Sequence, residues 1–336
     1  MPSLPLRQRG KVPKAEGGAL NPASSQKPVH VVAGILRDPS GRVLIAQRPQ
    51  GKHLAGAWEF PGGKVEPGET PHAALTRELH EELGIQIGAI EPLIAVPWRY
   101  ATKSIYLDVY QVLDYAGTPH GREGQALDWR LVDELSGTQM PAADRPIVSA
   151  LRLPSFYAIT AEPGADDAAF LASIDVLLTS GIRLLQLRAK QLPRARLRTL
   201  ARETHARAQA AGAQVLLNGN LDLALELGLD GVHLPSAELL QLNDRPLEQG
   251  LWLAASCHDE RDLEHAAAIG VDFAVLGPVQ PTGSHPGAAH LGWARFAELC
   301  AIAPFPVYAL GGLKRPDLAT AKAAGAQGVA GISAFQ

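Results

Sequence analysis

The chain has 336 residues, 46 % apolar and 19 % charged, with a formal net charge of −3. That is enough apolar material for real cores and a length suited to about two domains, which excludes a wholly disordered chain. The near-neutral balance excludes a general binder of nucleic acid or membrane surface, and two cysteines, Cys257 and Cys300, exclude a disulfide framework or an all-cysteine zinc site.

Few cysteines fit a reducing compartment, so a cytoplasmic location is expected. No apolar run approaches the ~20 residues a membrane helix needs, and no membrane or direct nucleic-acid partner is expected. Residues 1–28, rich in Pro, Gly, Lys and Arg, read as a disordered tail. After Pro28, two β-rich runs, Val29–Leu36 and Arg42–Ala46, flank the turn Asp38-Pro39-Ser40-Gly41 and read as a hairpin. A Pro61-Gly62-Gly63 loop precedes a helix from about Thr70 to Leu83, with Thr70 as N-cap, Pro71 at the first helical position and Gly84 as the stop. Strands Leu93–Trp98, Ser104–Leu113 and Ala126–Leu131 and a short helix near Pro146–Leu151 complete an α+β domain over residues 29–152.

From residue 155 to 336 the rhythm is strand, helix, strand, helix. Candidate strands are Phe156–Ile159, Leu184–Arg188, Val215–Asn218, Gly231–Leu234, Leu253–Ser256, Phe273–Gly277, Val307–Leu310 and Gly328–Ile332. Alanine-rich helical segments such as Pro193–Ala211 and Leu263–Ile269 lie between them. Eight short strands alternating with helices predict a closed (β/α)8 TIM barrel. The linker at Leu153-Pro154-Ser155 is very short, which predicts that the two domains touch.

The first chemical constellation is GKVEPGETPHAALTRELHEELGI, residues 63–85. On a helix Glu78, Glu81 and Glu82 stand at i, i+3 and i+4, so their carboxylates project from one face. Like charges at this spacing cost a few tenths of a kcal/mol per pair, on the order of 0.2–0.5, unless a cation offsets them. Hard oxygen ligands suit Mg²⁺ or Mn²⁺, and those ions suit a pyrophosphate substrate. The glycines let backbone approach a metal or phosphate closely.

This segment resembles the complete Nudix box, G-x5-E-x7-R-E-U-x-E-E-x-G-U with U a bulky aliphatic residue. Chance would produce it in a chain of this length about once in ten million at average residue usage. The resemblance implies Glu78, Glu81 and Glu82 as metal ligands with the Gly63 backbone, Arg77 orienting Glu78, and Glu69 steadying the loop–helix junction. Outside the box the domain is similar to MutT-type 8-oxo-dGTP diphosphatases. That similarity implies Arg48 reaching phosphate or base, Phe60 packing near a purine, Glu123 of Gly121–Gln125 close to the metals, and Asp144 of Met140–Pro146 reading the base. Well-known bacterial members carry asparagine where this chain has Asp144, and an ionised aspartate only accepts hydrogen bonds. Arg48 as a surface charge and Asp144 as a helix N-cap are the competing readings. Hydrolysis of a nucleoside triphosphate to monophosphate and pyrophosphate is the implied reaction, with Glu78 or Glu123 taking the proton of water.

Barrel enzymes carry chemistry at their strand C-termini. Here those positions hold Gln186, Arg188 and Lys190, then Asn218-Gly219, His233, Ser256 and His258, Thr282, Gly312 and Ser333. The pattern resembles the thiamine phosphate synthase and thiazole tautomerase superfamily, which implies a phosphate, thiazole or thiamine ligand. Gly219 and His285 stand where the synthase carries an aspartate and a phosphate-binding lysine, and its second acidic ligand aligns near Glu238. The loss of a carboxylate argues against synthase activity. His258 matches the tautomerase histidine, which leaves a tautomerase using it as acid/base, or a ligand-binding module, as the expectations for the barrel. For the whole chain the expectation is an Mg²⁺-dependent hydrolase of oxidised purine triphosphates acting in nucleotide-pool sanitation. The alternative is a Nudix pyrophosphatase acting on a thiamine-related or other nucleoside diphosphate, with the barrel as tautomerase or regulatory module.

Overall fold

The structure, a computed structural model, describes residues 27–49, 51, 54–282 and 289–335. The candidate tail, apart from Lys27 and Pro28, and His285 lie outside the described residues. The N-terminal part runs β1 (Val29–Ile35), β2 (Val43–Gln47), β3 (Trp58–Glu59), β4 (Gly62–Lys64), α1 (Pro71–Leu83), β5 (Gln86–Ile87), β6 (Ile90–Arg99), β7 (Ser104–Val112), β8 (Tyr115–Ala116), β9 (Leu127–Arg130) and α2 (Arg145–Arg152). Two sheets, β4-β1-β7-β6 and β3-β2-β9, form its centre.

The alternation of apolar side chains along β1, β2 and β7 divides the core in two. Val32, Leu36, Leu44 and Val112 meet Ala74, Leu75, Leu79 and Leu83 of α1. Ala33, Ile35, Val43, Ile45, Leu107 and Val109 point the other way, where Ile147 and Val148 of α2 cover them. The Asp38–Gly41 turn forms, with the Gly41 N–H donating to Asp38 O at 2.9 Å. The expected hairpin does not persist beyond it. β1 pairs in parallel with β7 and antiparallel with β4, whereas β2 pairs with β3 and β9. Near the turn the two runs are joined by the antiparallel bridge Arg37–Val43, with Asp38 N donating to Arg42 O at 3.0 Å and Leu44 N to Leu36 O at 3.1 Å. Each strand needs a partner along its whole length, and long-range partners won.

Helix α1 starts where its residues allow. The Thr70 hydroxyl accepts from Ala73 N at 3.2 Å, and Gly84 ends the helix at φ 71°, its N–H donating to His80 O. Burial of Leu75, Leu79 and Leu83, each worth about 1.5–3 kcal/mol, outweighs the like-charge cost of the acidic face, which is tenths of a kcal/mol per pair.

The C-terminal part is a closed barrel of eight parallel strands in sequence order. They are β10 (Phe156–Ile159), β11 (Leu184–Leu187), β12 (Gln214–Asn218), β13 (Gly231–Leu234), β14 (Trp252–Cys257), β15 (Phe273–Leu276), β16 (Val307–Leu310) and β17 (Gly328–Gly331). Tyr157, Leu184, Leu216, Trp252, Phe273 and Tyr308 fill the barrel's interior, with edge-on rings at 5.4 Å for Tyr157–Phe273 and 5.6 Å for Phe273–Tyr308. Among the described residues no helix is long and apolar enough to cross a membrane.

Candidate active site

Two glycines bring strand β4 against the acidic helix. A Cβ at Gly63 would stand 2.2 Å from Glu78 Cδ, so only glycine leaves the carboxylate its place. Gly62, at φ +151°, lies so close to β1 that a Cβ would meet Val32 O at 2.1 Å. Its N–H donates to Glu82 Oε2 at 3.1 Å. Glu78 and Glu82 are therefore both held against the backbone of β4.

Arg77 organises the other side. Its guanidinium donates to Glu69 Oε1 at 3.1 Å and Oε2 at 2.9 Å, to Glu78 Oε1 at 2.8 Å and to Lys64 O at 3.0 Å. Glu81 Oε2, on a side chain 56 % exposed, accepts from the same group at 3.4 Å. Charge-assisted bonds of this kind are the strong ones. The bond from Arg77 and the Glu66 N–H hold Glu69 below the usual carboxylate range.

Glu82 is perturbed in the opposite direction. Burial, opposed by the Gly62 N–H and reinforced by repulsion from Glu78, Glu59 and Glu123, pushes its pKa up to about 7. Glu59, Glu82 and Glu123 line one cleft with Gln47, Pro61 and Gln125. Among the described residues no three His, Cys, Asp or Glu side chains gather closely enough to hold a metal ion alone. The donor set nevertheless fits Mg²⁺ or Mn²⁺. Mg²⁺ is usually held by one or two carboxylates plus water and substrate phosphate rather than by an all-protein cage.

The loop carrying Glu123 is tied to the end of α1. His120 N donates to Leu83 O at 3.1 Å and Arg122 N to Glu82 O at 3.0 Å. Gln125 donates its amide to Glu82 O at 3.0 Å and accepts from Glu123 N at 2.9 Å. Arg122, Gln125 and Glu59 escaped the reading of the sequence. Glu59 was legible only as the acid beside the Phe60-Pro61 turn, and the other two as members of a glycine-flanked loop.

Arg48 and Glu59 form an ion pair on the same cleft, so Arg48 is not a loose surface charge. Asp144 is 7 % exposed. It stands at the N-cap position of α2, as one reading expected, but its side chain makes no cap bond there. Its Oδ2 is buried with no hydrogen-bond partner among the described residues. Burial, then repulsion from Glu59, raises its pKa well above the ordinary value, against the pull of Arg48. Phe60, expected beside a purine, is 4 % exposed and packs in the core with Val43, Val96 and Ile147.

In the barrel, a polar chain crosses the interior. Gln186 donates to the Tyr157 hydroxyl at 3.4 Å, which lies 3.1 Å from His233 Nδ1, and His233 Nε2 lies 2.8 Å from Ser256 Oγ. Burial pushes the His233 pKa down to about 3, so the ring is neutral. Glu162 straps the next loop by accepting from Lys190 N at 3.1 Å, and its Oε2 lies 3.7 Å from Arg188 Nη1. His258 Nδ1 lies 2.8 Å from Gly277 O; a carbonyl only accepts, so Nδ1 carries a proton and Nε2 is left for other partners. Gly219 sits at φ +62°, where a Cβ would come 3.0 Å from Glu238 Oε1. Asn218 ends β12, Gly312 packs its backbone against Pro281 O, Thr282 follows it on the facing loop, and Ser333 is exposed after β17.

Comparison with known proteins agrees with this division. A NUDIX domain model matches residues 32–150, and a model described as thiamine monophosphate synthase matches residues 156–335. An 8-oxo-dGTP diphosphatase of Haemophilus influenzae is 40 % identical over 126 residues, 38 % of this chain and 93 % of that protein. A CTP pyrophosphohydrolase of Escherichia coli is 39 % identical over 140 residues, 42 % of this chain and 99 % of that protein. A thiamine-phosphate synthase of Thioalkalivibrio sulfidiphilus is 33 % identical over 184 residues, 54 % of this chain and 87 % of that protein. The chain therefore belongs to two families at once, joining a NUDIX hydrolase domain to a barrel of the thiamine monophosphate synthase family.

Proposed function

We propose that the NUDIX domain hydrolyses nucleoside triphosphates to monophosphate and pyrophosphate, with oxidised purine triphosphates such as 8-oxo-dGTP as substrates, and so serves nucleotide-pool sanitation. The observation that carries the reading is the packing of Glu78 and Glu82 against the Gly62-Gly63 backbone, with Glu59 and Glu123 lining the same cleft as Glu82. Glu78, Glu81, Glu82 and Glu123 and the Gly63 backbone would hold Mg²⁺ or Mn²⁺. When bound, the dication supplies charge neutralisation for the phosphoryl oxygens. Arg77 keeps Glu78 oriented. Glu78 or Glu123 accepts the proton of the attacking water as oxygen bonds to the β-phosphorus and the bridge to the α-phosphate breaks. Arg48 steadies the phosphate or base end.

Asp144 supports the base assignment. Burial raises its pKa well above the ordinary value, which favours the protonated form. A protonated carboxyl both donates and accepts, as an asparagine amide does, so it can pair with a purine edge. The relatives include both 8-oxo-dGTP and CTP hydrolases. Pyrophosphate release from 8-oxo-dGTP, dGTP, CTP and thiamine diphosphate with Mg²⁺ decides between them. The reading expects 8-oxo-dGTP to give the highest kcat/KM, and preference for CTP or thiamine diphosphate overturns it.

For the barrel, we propose a small phosphate- or thiazole-bearing ligand at the mouth, held by Gln186, Arg188, Lys190, Asn218, Ser256, Thr282, Gly312 and Ser333. His258 Nε2 is the candidate base of a tautomerase-type proton shift. Gly219 leaves Glu238 as the acid of that corner, a poor match for a metal–pyrophosphate substrate. Isomerisation of a thiazole phosphate by wild type and its loss in His258→Ala would support this role, and equal rates would overturn it.

A further inference from the structure

The end of α2 serves both halves of the molecule. Ile147 and Val148 lie in the N-terminal core. One turn later Leu153, 6 % exposed, lies in the interior of the barrel with Trp252, Phe273 and Tyr308. Gln327, the residue before β17, donates its side-chain amide to Ala150 O at 3.1 Å and Leu153 O at 2.9 Å. These are carbonyls at the C-terminal end of α2, where a helix has no bonds of its own to offer. The Arg152 guanidinium stacks over the Trp252 ring at 4.7 Å, and its Nε lies 3.3 Å from Asp133 Oδ1 of the N-terminal half. The linker is fixed too: the Tyr308 hydroxyl donates to Pro154 O and Val329 N donates to Ser155 O at 3.0 Å.

We infer that α2 is a shared helix and that Gln327, a barrel residue, is a positioning residue for the nucleotide cleft. It pins the C-terminal end of the helix whose first turn follows Asp144. An eight-residue helix is about 12 Å long, so a tilt at the barrel end displaces Asp144 at the other. Residues at the starts of β14, β15, β16 and β17 make these contacts, so the N-terminal half is seated on the barrel floor. The barrel's candidate ligand residues stand at the opposite, C-terminal ends of the strands. Among the described residues, the two candidate sites therefore stand at opposite ends of the barrel's seat on α2. The effect on nucleotide binding rests on the proposed hydrolase reading; the sharing of the helix does not.

The test uses the full chain with Gln327→Glu, which keeps the shape but faces two carbonyl oxygens without a donor, and Gln327→Ala as a milder variant should the first not fold. Gln327→Lys restores a donor. Hydrogen exchange of peptides spanning 141–153 is expected to quicken about tenfold in the Glu and Ala variants, with β11 and β12 unchanged and Lys restoring protection. KM for the nucleotide is expected to rise severalfold with kcat within twofold of wild type. Unchanged exchange over 141–153, or equal quickening throughout the barrel, overturns the inference. Exchange is read without turnover, so an inactive wild type would refute the hydrolase reading while leaving the shared helix to be decided separately.

Discussion

Two neighbouring glycines separate chemistry from folding. In Gly63→Ala the new methyl would stand 2.2 Å from Glu78 Cδ and 2.4 Å from both carboxylate oxygens, well inside the ~3.5–4 Å of an ordinary contact. The obstacle is the end of a flexible side chain, so Glu78 retreats by about 1 Å and strains its 2.8 Å bond to Arg77. A charge-assisted bond is worth about 1.5–3 kcal/mol, which bounds the loss of stability. A displacement of about 1 Å in a reacting group can cost about a hundredfold in rate. In Gly62→Ala the methyl meets Val32 O at 2.1 Å and Ala33 Cα at 2.8 Å, at φ +151°. Backbone cannot turn aside, and the β1–β4 pairing must yield, at about 3 kcal/mol or more. The expected result is a Gly63→Ala protein with near-normal melting and about a hundredfold slower pyrophosphate release, beside a Gly62→Ala protein that melts about 10 °C lower. Calorimetry and steady-state kinetics on both would refute the reasoning if Gly63→Ala kept half its turnover, or if the two lost equal stability.

Three further outcomes follow from the same geometry. Glu82→Gln is expected to lower turnover more than a hundredfold with the fold intact. Because the folded pKa of about 7 exceeds the unfolded one, wild-type Glu82 costs stability as pH rises through 7, and the variant should melt higher by about 1–3 kcal/mol at pH 8 without metal; an unchanged rate contradicts the assignment. Asp144→Asn should hold the nucleotide KM within about threefold at pH 7, whereas Asp144→Ala should raise it tenfold; a large loss in the Asn variant would mean that the acid works ionised. His233 has its pKa depressed to about 3, so unfolded chains take up a proton below pH 6.5 that folded ones refuse. Stability falls as pH drops from 6.5 toward 3, by about 2 kcal/mol at pH 5; in urea melts His233→Gln should lack that part of the slope, and parallel slopes would disprove it.

Local chemistry was readable along the chain. The i, i+3, i+4 carboxylates, the Thr70 cap, the Gly84 stop and the eight strands of the barrel each depend on residues a few positions apart. Their backbone periods are the same wherever such a segment sits. The hairpin expectation held only beside its turn, for the complementary reason. A turn and two apolar runs say nothing about which distant strand offers the better partner, and β1 found β7 while β2 found β9.

The NUDIX box and the strand-end residues of the barrel were thus written in short-range pattern, and with them the two families. Folding in three dimensions added what pattern does not encode: Glu59 beside Glu82 and Glu123, the unpartnered oxygen of Asp144, Phe60 turned into the core, and Gln327 on the last turn of α2, 177 positions from Ala150. Burial and charge repulsion are sums over neighbours in space. Those neighbours are chosen by sheet register and by the closure of the barrel, which no window of sequence contains.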